Sequence, residues 1–514
     1  MYIGDWLARR EMLTPDKVAL IDTLHADRPI TYREWNRAVN RTAHFLRERC
    51  GVQKGDRVAV LAMNCVEYLD VWFACGKLGA VLHNLNWRLT VRELAALLDN
   101  AESSVLIYGG EFTAQVNELR AHAVNSYVAL DEQAAEGDRH FWERDTCTDA
   151  PPPEVELDWN DPWVICYTGG TTGTPKGAVL THRSITANAA NTVISWGLTP
   201  DDVALLDAPF FHTGGLNVFT APLVYIGGAS IVCKRFEADD LFDRLRDTRV
   251  TLYFGVPTMF LMLQQHPRWD EADFTKLKLV ISGGAPCPLP VFEKFWARGV
   301  DFKTGYGLTE AGPNTFWLPT KDVRAKPGAV GFPLFHVDVK VARPEGGECE
   351  PEELGELVVR GPHVCAGYWN NSTATVEAIH PLANDPNGPA WLHTGDLARR
   401  DAEGYYYIVG RSKDMFISGG ENVYPAEIES VLHAHPAVAE AVVIGVPHEK
   451  WGEVGRAVIV LKSGAHLAES ELLDFVRERL AAYKAPRSVV FVTELPKTSV
   501  NKVDKKVLMQ THSG

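Results

Sequence analysis

The chain has 514 residues, of which 46% are apolar and 23% charged, and a net charge of −15. That length predicts about three domain-sized units, and the composition excludes extended disorder, coiled coil and any apolar run long enough to span a bilayer. The acidic balance argues against general nucleic-acid or anionic-membrane binding, so a site for an anionic ligand must be basic locally.

Met1 to Trp6 lacks a basic start followed by an apolar stretch, which predicts no secretory signal. The 9 cysteines are scattered without a Cys-x-x-Cys pair or a Cys/His cluster, and they read as reduced thiols of a cytoplasmic protein. From Thr31 to Cys50 the apolar Trp35, Ala38, Val39, Phe45 and Leu46 recur at helical spacing. Arg57 to Ala62 predicts a strand, Val66 to Ala80 a helix, Thr90 with Glu93 a capping box opening the next helix, and Val105 to Tyr108 a strand. This alternation predicts a mostly parallel sheet covered by helices. Asp131 to Asp161 is acidic, carries Pro151-Pro152-Pro153, and reads as a surface connection.

Next comes the apolar run Trp163-Val164-Ile165-Cys166 and then Tyr167-Thr168-Gly169-Gly170-Thr171-Thr172-Gly173-Thr174-Pro175-Lys176-Gly177. Its glycines let backbone approach a ligand, and its hydroxyls with Lys176 suit phosphate oxygens. It is not the nucleotide triphosphatase P-loop, which requires Gly-Lys-Ser/Thr opening a helix, because Lys176 is followed by Gly177-Ala178-Val179-Leu180, a second strand. Alternation resumes with strands at Val203 to Leu206, Ser230 to Cys233, Thr251 to Phe254 and Leu277 to Ile281, and a helix at Ala238 to Asp247. These form a second doubly wound layer. From Gly328 to Tyr368 short alternating runs, Val337 to Val341 and Glu356 to Arg360, predict antiparallel β. The last hundred or so residues, with Pro425 at a helix start, strands at Ala441 to Ile444, Ala457 to Leu461 and Val489 to Val492, and a helix from Glu469 to Ala481, predict a small α+β domain.

Six further segments carry glycines and ligand-type side chains where packing alone does not call for them: Pro209 to Gly215, Ser282 to Pro286, Thr304 to Glu310, Trp391 to Asp396, Gly410 to Asp414 and Lys497 to Lys502. Several follow predicted strands, where open α/β sheets place ligands. In this order and spacing they resemble the adenylate-forming superfamily of acyl-CoA synthetases, peptide-synthetase adenylation domains and beetle luciferases. The resemblance spans essentially the whole chain. It implies an α/β fold with a large N-terminal domain, residues 1–411, of two doubly wound sheets and a β-barrel, and a small mobile α+β domain, residues 412–514. It also implies a reaction in which a carboxylate displaces pyrophosphate from ATP and a thiol, usually coenzyme A, then displaces AMP.

The same resemblance assigns roles residue by residue. Thr168, Thr171, Thr172, Gly173 and Lys176 hold the β- and γ-phosphates, although Gly169 stands where the family usually has serine. Glu310, with Thr171, holds Mg2+, and Thr309 reaches the α-phosphate. Tyr306 packs on adenine, with Gly283, Gly284, Ala285 and Gly307 giving room. Asp396 and Arg411 take the ribose. Lys502 bridges the acyl carboxylate and the α-phosphate, with Asn501 where many relatives have glycine. Lys413 is the hinge about which the small domain swings, bringing Ser418 to Asn422, with Gly419, against the pantetheine. Trp451, Tyr483 and Arg487, with Arg88, contact CoA. The bland readings of these residues are a surface carboxylate, a core ring, a turn aspartate and an exposed tail lysine.

His212, backed by Gly214 and Gly215, faces the acyl pocket with Val256, Gly305, Gly307 and Pro313. Room there predicts a medium- or long-chain fatty acid as the substrate. The alternative is a benzoate- or hydroxycinnamate-type acid, which Thr309-Glu310-Ala311-Gly312-Pro313 encourages. An amino acid is disfavoured because Phe210-Phe211-His212-Thr213 offers no aspartate to pair with an ammonium. A luciferase-like monooxygenase and an inactive binding relative are the readings from other classes. The expected partner is a small carboxylic acid, not nucleic acid, and a homo-oligomer is left open.

Overall fold

Short, fully buried apolar strands such as Val105–Tyr108 and Leu279–Ser282 suit a sheet covered on both faces. In the computed structural model such strands lie in two seven-stranded sheets. The structure describes residues 3–122, 124–132, 134–168, 175–247, 249–418, 421–497 and 503–512. In the first sheet Arg139–His140, Ser126–Ala129, Val105–Tyr108, Arg57–Leu61, Val81–Asn84 and Pro162–Thr168 run parallel in that order, and Lys176–Thr181 folds back on Pro162–Thr168 as a hairpin. In the second, Phe302–Thr304, Leu279–Ser282, Leu252–Gly255, Val203–Leu206, Ala229–Val232 and Val18–Asp22 run parallel, and Arg28–Thr31 closes the edge antiparallel. That N-terminal hairpin is absent from the strands read in the sequence. It is short, and the sheet it joins has its next strand only at Val203.

The helices follow their local signals. Thr31 caps Tyr32–His44, its hydroxyl accepting from the Glu34 N–H while Glu34 returns to the Thr31 N–H, and Thr90 and Glu93 do the same for Val91–Ala101. Val66–Leu78 stops short of the expected Ala80 because Gly79 takes a left-handed φ of 65°. Trp35, Trp72, Trp163 and Phe219, drawn from both halves of the chain, share one apolar cluster, so the two sheets are packed across a common core. Residues 131–161 are more than the expected surface connection. Arg139–His140 adds an edge strand, Phe141 is buried in the core, and Arg144 pairs with the buried Asp70. One aromatic anchor in a polar run leaves no periodicity to read.

The expected antiparallel module is a sheet of order Phe316–Trp317, Ala329–Pro333, Tyr406–Arg411, Trp391–Arg400, Gly355–Arg360 and Asp338–Ala342, with Ile379–His380 beside Trp391–Arg400. After Arg411 the turn Ser412–Asp414 leads to a third kind of sheet, in which Glu421–Val423, Phe416–Ser418, Gly452–Leu461 and Val438–His448 are antiparallel and Ser488–Val492 joins Gly452–Leu461 in parallel. Helices Pro425–His433 and Glu469–Arg477 contribute Ile428, Leu432, Leu472 and Val476 to its core. The second helix ends before the predicted Ala481. Among the described residues no helix is long and apolar enough to cross a membrane.

Candidate active site

Parallel strands leave their C-terminal ends free for loops, and here three strands of the second sheet deliver three of the glycine-bearing segments, with Leu252–Gly255 lying among them. Phe254, in Leu252–Gly255, lies between two of them: a Cβ on Gly214 would sit 3.1 Å from its ring and one on Gly283 would sit 2.9 Å from it. The missing side chains admit the ring. A Cβ on Gly305 would press on Ile281 at 2.6 Å, and one on Gly307 would fall on the carbonyl of Pro313. Gly284 holds a left-handed φ of 79°, and Ala285 beside it is exposed. Gly307→Ala is therefore expected to destabilise the fold by at least about 3 kcal/mol, since the obstacle is backbone rather than a side chain that can swing away. Denaturant unfolding checks this, and an unchanged midpoint would contradict the close approach.

Tyr306 donates its hydroxyl to Asp396 Oδ2 at 2.6 Å, and Arg411 Nε stands 2.8 Å from Asp396 Oδ1. Asp396 and Arg411 are cross-strand partners on Trp391–Arg400 and Tyr406–Arg411, which explains how residues so far apart in sequence meet. The Asp396 N–H donates to Thr394 Oγ1 at 3.1 Å. Burial and the Asp396 charge together push the Tyr306 phenol well above its ordinary pKa, so it remains a donor. A carboxylate has about four lone-pair positions, so Asp396 keeps acceptor capacity for ribose hydroxyls.

Glu310 is buried, and Oε1 accepts from the Tyr368 hydroxyl at 2.8 Å, with the Thr168 hydroxyl at 3.5 Å. Its backbone carbonyl accepts from Cys365 N–H at 2.8 Å. Tyr368 reaches it because residues 366–369 run beside Lys176–Thr181: Val179 N–H donates to Gly367 O at 2.9 Å and Trp369 N–H to Gly177 O at 2.7 Å. Lys176 Nζ lies 5.3 Å from the Tyr368 ring centroid. Thr168, Lys176, Thr309, Glu310 and Tyr368 thus occupy one corner. Tyr368 was missed in the sequence, where its one signal is an aromatic pair after glycine, Gly367-Tyr368-Trp369. The donor set suits a hard cation that takes one carboxylate and completes its shell with phosphate oxygens and water. Among the described residues no group of three His, Cys, Asp or Glu could cage a metal by itself. Thr171, Thr172 and Gly173, assigned to phosphate and metal, lie outside the described residues.

His212 caps the turn Thr213–Asn217, with its ring 4.6 Å from that of Phe211. Phe211 meets Trp87 edge-on at 6.0 Å, and the Arg88 guanidinium lies 4.3 Å over Trp87 and 5.4 Å from Phe211. Arg88 is thereby held beside the Pro209 to Gly215 segment on two aromatic faces. Among the other CoA candidates, Arg487 lies 5.9 Å from the Trp451 ring, while Tyr483 is exposed under Lys484 Nζ at 5.8 Å. Lys413 sits in Ser412–Asp414, its pKa lowered by burial and then by neighbouring Arg411. Gly419 and Lys502 lie outside the described residues. On either side of the Lys502 segment, Lys497 and Val503 form an antiparallel bridge, Lys497 pairs with Glu440 at 3.0 Å, and Lys505 pairs with Glu429 at 3.0 Å.

A model of the AMP-binding enzyme family matches residues 7–369, and one of the AMP-binding enzyme C-terminal domain matches residues 427–502. Feruloyl-CoA synthase from Amycolatopsis sp is 41% identical over 503 residues, 98% of this chain and 97% of the relative. The chain belongs to the AMP-binding enzymes, on their acyl-CoA ligase branch. This acyl-CoA ligase is also similar to the long-chain-fatty-acid–CoA ligase of Mycobacterium tuberculosis, 35% identical over 523 residues, 100% of this chain and 99% of the relative. Among solved structures, the anthranilate CoA ligase AuaEII in complex with anthranoyl-AMP superposes with a TM-score of 0.90 at 27% identity, covering 99% of this chain and 97% of that one.

Proposed function

We propose that this ligase activates an aromatic carboxylic acid of the benzoate or hydroxycinnamate type, rather than the fatty acid first expected, and transfers it to coenzyme A. The observation that carries the reading is Phe254, a half-buried ring packed against Gly214 and Gly283 at the strand ends. The glycines let this ring pack close while it stays only half-buried, and the part of an aromatic ring left uncovered suits another flat ring better than an alkyl chain. The higher identity to the feruloyl enzyme points the same way.

In this reading an acid oxygen attacks the α-phosphorus of ATP, the bond to the bridging oxygen breaks, and pyrophosphate leaves. Thr171, Thr172, Gly173, Thr168 and Lys176 hold the leaving phosphates. Glu310 and Thr171 would hold Mg2+, which supplies charge neutralisation at those oxygens. Lys502 lies between the two anions that react, and Thr309 contacts the α-phosphate. Asp396 and Arg411 orient the ribose, while Tyr306, Gly283, Gly284, Ala285 and Gly307 shape the adenine bed. Residues 412–514 then turn about Lys413, Gly419 comes to the thiol channel, and Trp451, Tyr483, Arg487 and Arg88 hold CoA. Its thiolate attacks the acyl carbonyl and AMP departs. The protein works in the cytoplasm on a small acid.

A panel of acids with ATP, Mg2+ and CoA, scored for AMP and thioester, tests the assignment. Hydroxycinnamates or benzoates are expected to exceed hexadecanoate in kcat/KM by about 100-fold, and Phe254→Ala is expected to cut the aromatic value about 10-fold with little change in KM for ATP. Preference for hexadecanoate, or indifference to Phe254→Ala, would reject the aromatic reading.

A further inference from the structure

A helix buried on nearly every side should be apolar, yet His182–Trp196 carries Asn188, Asn191 and Thr192 with no exposed surface. Each buried amide costs roughly 1–3 kcal/mol unless its hydrogen bonds are made, so leucine would fill the same space more simply. The bonds that Asn188 makes explain why it is polar. Its Oδ1 accepts from Asn314 N–H at 3.0 Å, and its Nδ2 donates to Asn217 O at 2.8 Å. Asn314 belongs to the loop that carries Thr309 and Glu310. Asn217 ends the turn that His212 caps. One rigid amide plane therefore grips the nucleotide side and the acyl side of the site at once.

The rest of the circuit ties down the groups which that plane holds. Asn314 Nδ2 donates to Thr192 Oγ1 at 2.8 Å and to Val218 O at 3.2 Å, Thr192 Oγ1 donates to Asn188 O at 2.7 Å, and Asn217 Nδ2 donates to Thr213 Oγ1 at 3.0 Å. We propose that Asn188 is a positioning residue that fixes the distance between the acid-binding loop and the loop holding the triphosphate end of ATP. The inference rests on the placement of the acid at His212 and of the phosphates at Glu310. It does not depend on which acid is bound.

The chemistry separates this role from mere stability. Adenylation needs two independent molecules in register, and a displacement near 1 Å can cost about 100-fold in rate. A preformed acyl-adenylate carries that register in its own covalent bonds, so its conversion to thioester does not need the grip.

The test measures single-turnover adenylation per titrated active site, with the best acid of the panel whatever its class, alongside thioester formation from supplied acyl-adenylate. Asn188→Ala is expected to slow adenylation by about 100-fold and the neutral, hydroxyl-bearing Asn188→Ser by about 10-fold, with KM for ATP within about twofold and the second half-reaction within about threefold. Asn188→Ser, which buries no charge, keeps the test available if the alanine variant fails to fold. Equal slowing of both half-reactions, or an unaltered adenylation rate, would overturn the proposal. Failure of aromatic acids alone would reject the substrate assignment and leave this result standing.

Discussion

Lys502→Ala is expected to slow acyl-adenylate formation by about 1,000-fold while leaving conversion of supplied acyl-adenylate to thioester within a few-fold of the parent enzyme. The acid carboxylate and the α-phosphate repel each other, and charge grows on the phosphate oxygens as the new bond forms. A single ammonium between them offsets the repulsion and becomes more favourable toward the transition state, so its loss appears in kcat more than in binding. The described flanks of the segment are tied down: Lys497 and Val503 bridge, and Lys497 and Lys505 are paired to Glu440 and Glu429. Pyrophosphate exchange reads the first step and CoA consumption from synthetic adenylate reads the second. An equal fall in both would remove Lys502 from its assigned place between the two anions.

The distinction between steps bears on what a sequence can and cannot disclose. Strands such as Val203–Leu206, the capping box at Thr90, and the hairpin closed by Lys176–Thr181 obey rules local to a few residues, and they were readable for that reason. The strand ends also marked where Gly214 and Gly283 would gather, because the topology of a parallel sheet fixes which ends carry ligands. What holds those segments together was not readable. Tyr368 is 58 residues from Glu310, and Tyr306 is 90 from Asp396, so neither bond leaves a periodic trace. Asn188 is harder still. In the sequence it is one polar residue of a helix, and only its burial between two loops gives its amide a role. Phe254 likewise reads as the end of an apolar strand until the glycines opposite it are in place.

Glu310→Gln is expected to lower kcat for adenylation by about 100- to 1,000-fold and to raise the Mg2+ concentration needed for half-maximal rate, with global stability changed by less than about 1 kcal/mol. The amide has the size of the carboxyl, and its oxygen still accepts from Tyr368, so the corner formed by Thr168, Tyr368 and the Cys365 N–H to Glu310 O bond remains packed. Only the negative charge is lost. A buried carboxylate whose sole duty was to satisfy Tyr368 would tolerate that loss, since a neutral acceptor is the less costly group to bury. A carboxylate that shares a hard cation with phosphate oxygens would not, because an amide oxygen competes poorly with water for such an ion. The Mg2+ dependence of pyrophosphate exchange separates the two cases. A curve superimposable on that of the parent enzyme would assign Glu310 to structure, whereas a rightward shift that saturating Mg2+ partly corrects identifies it as a metal ligand.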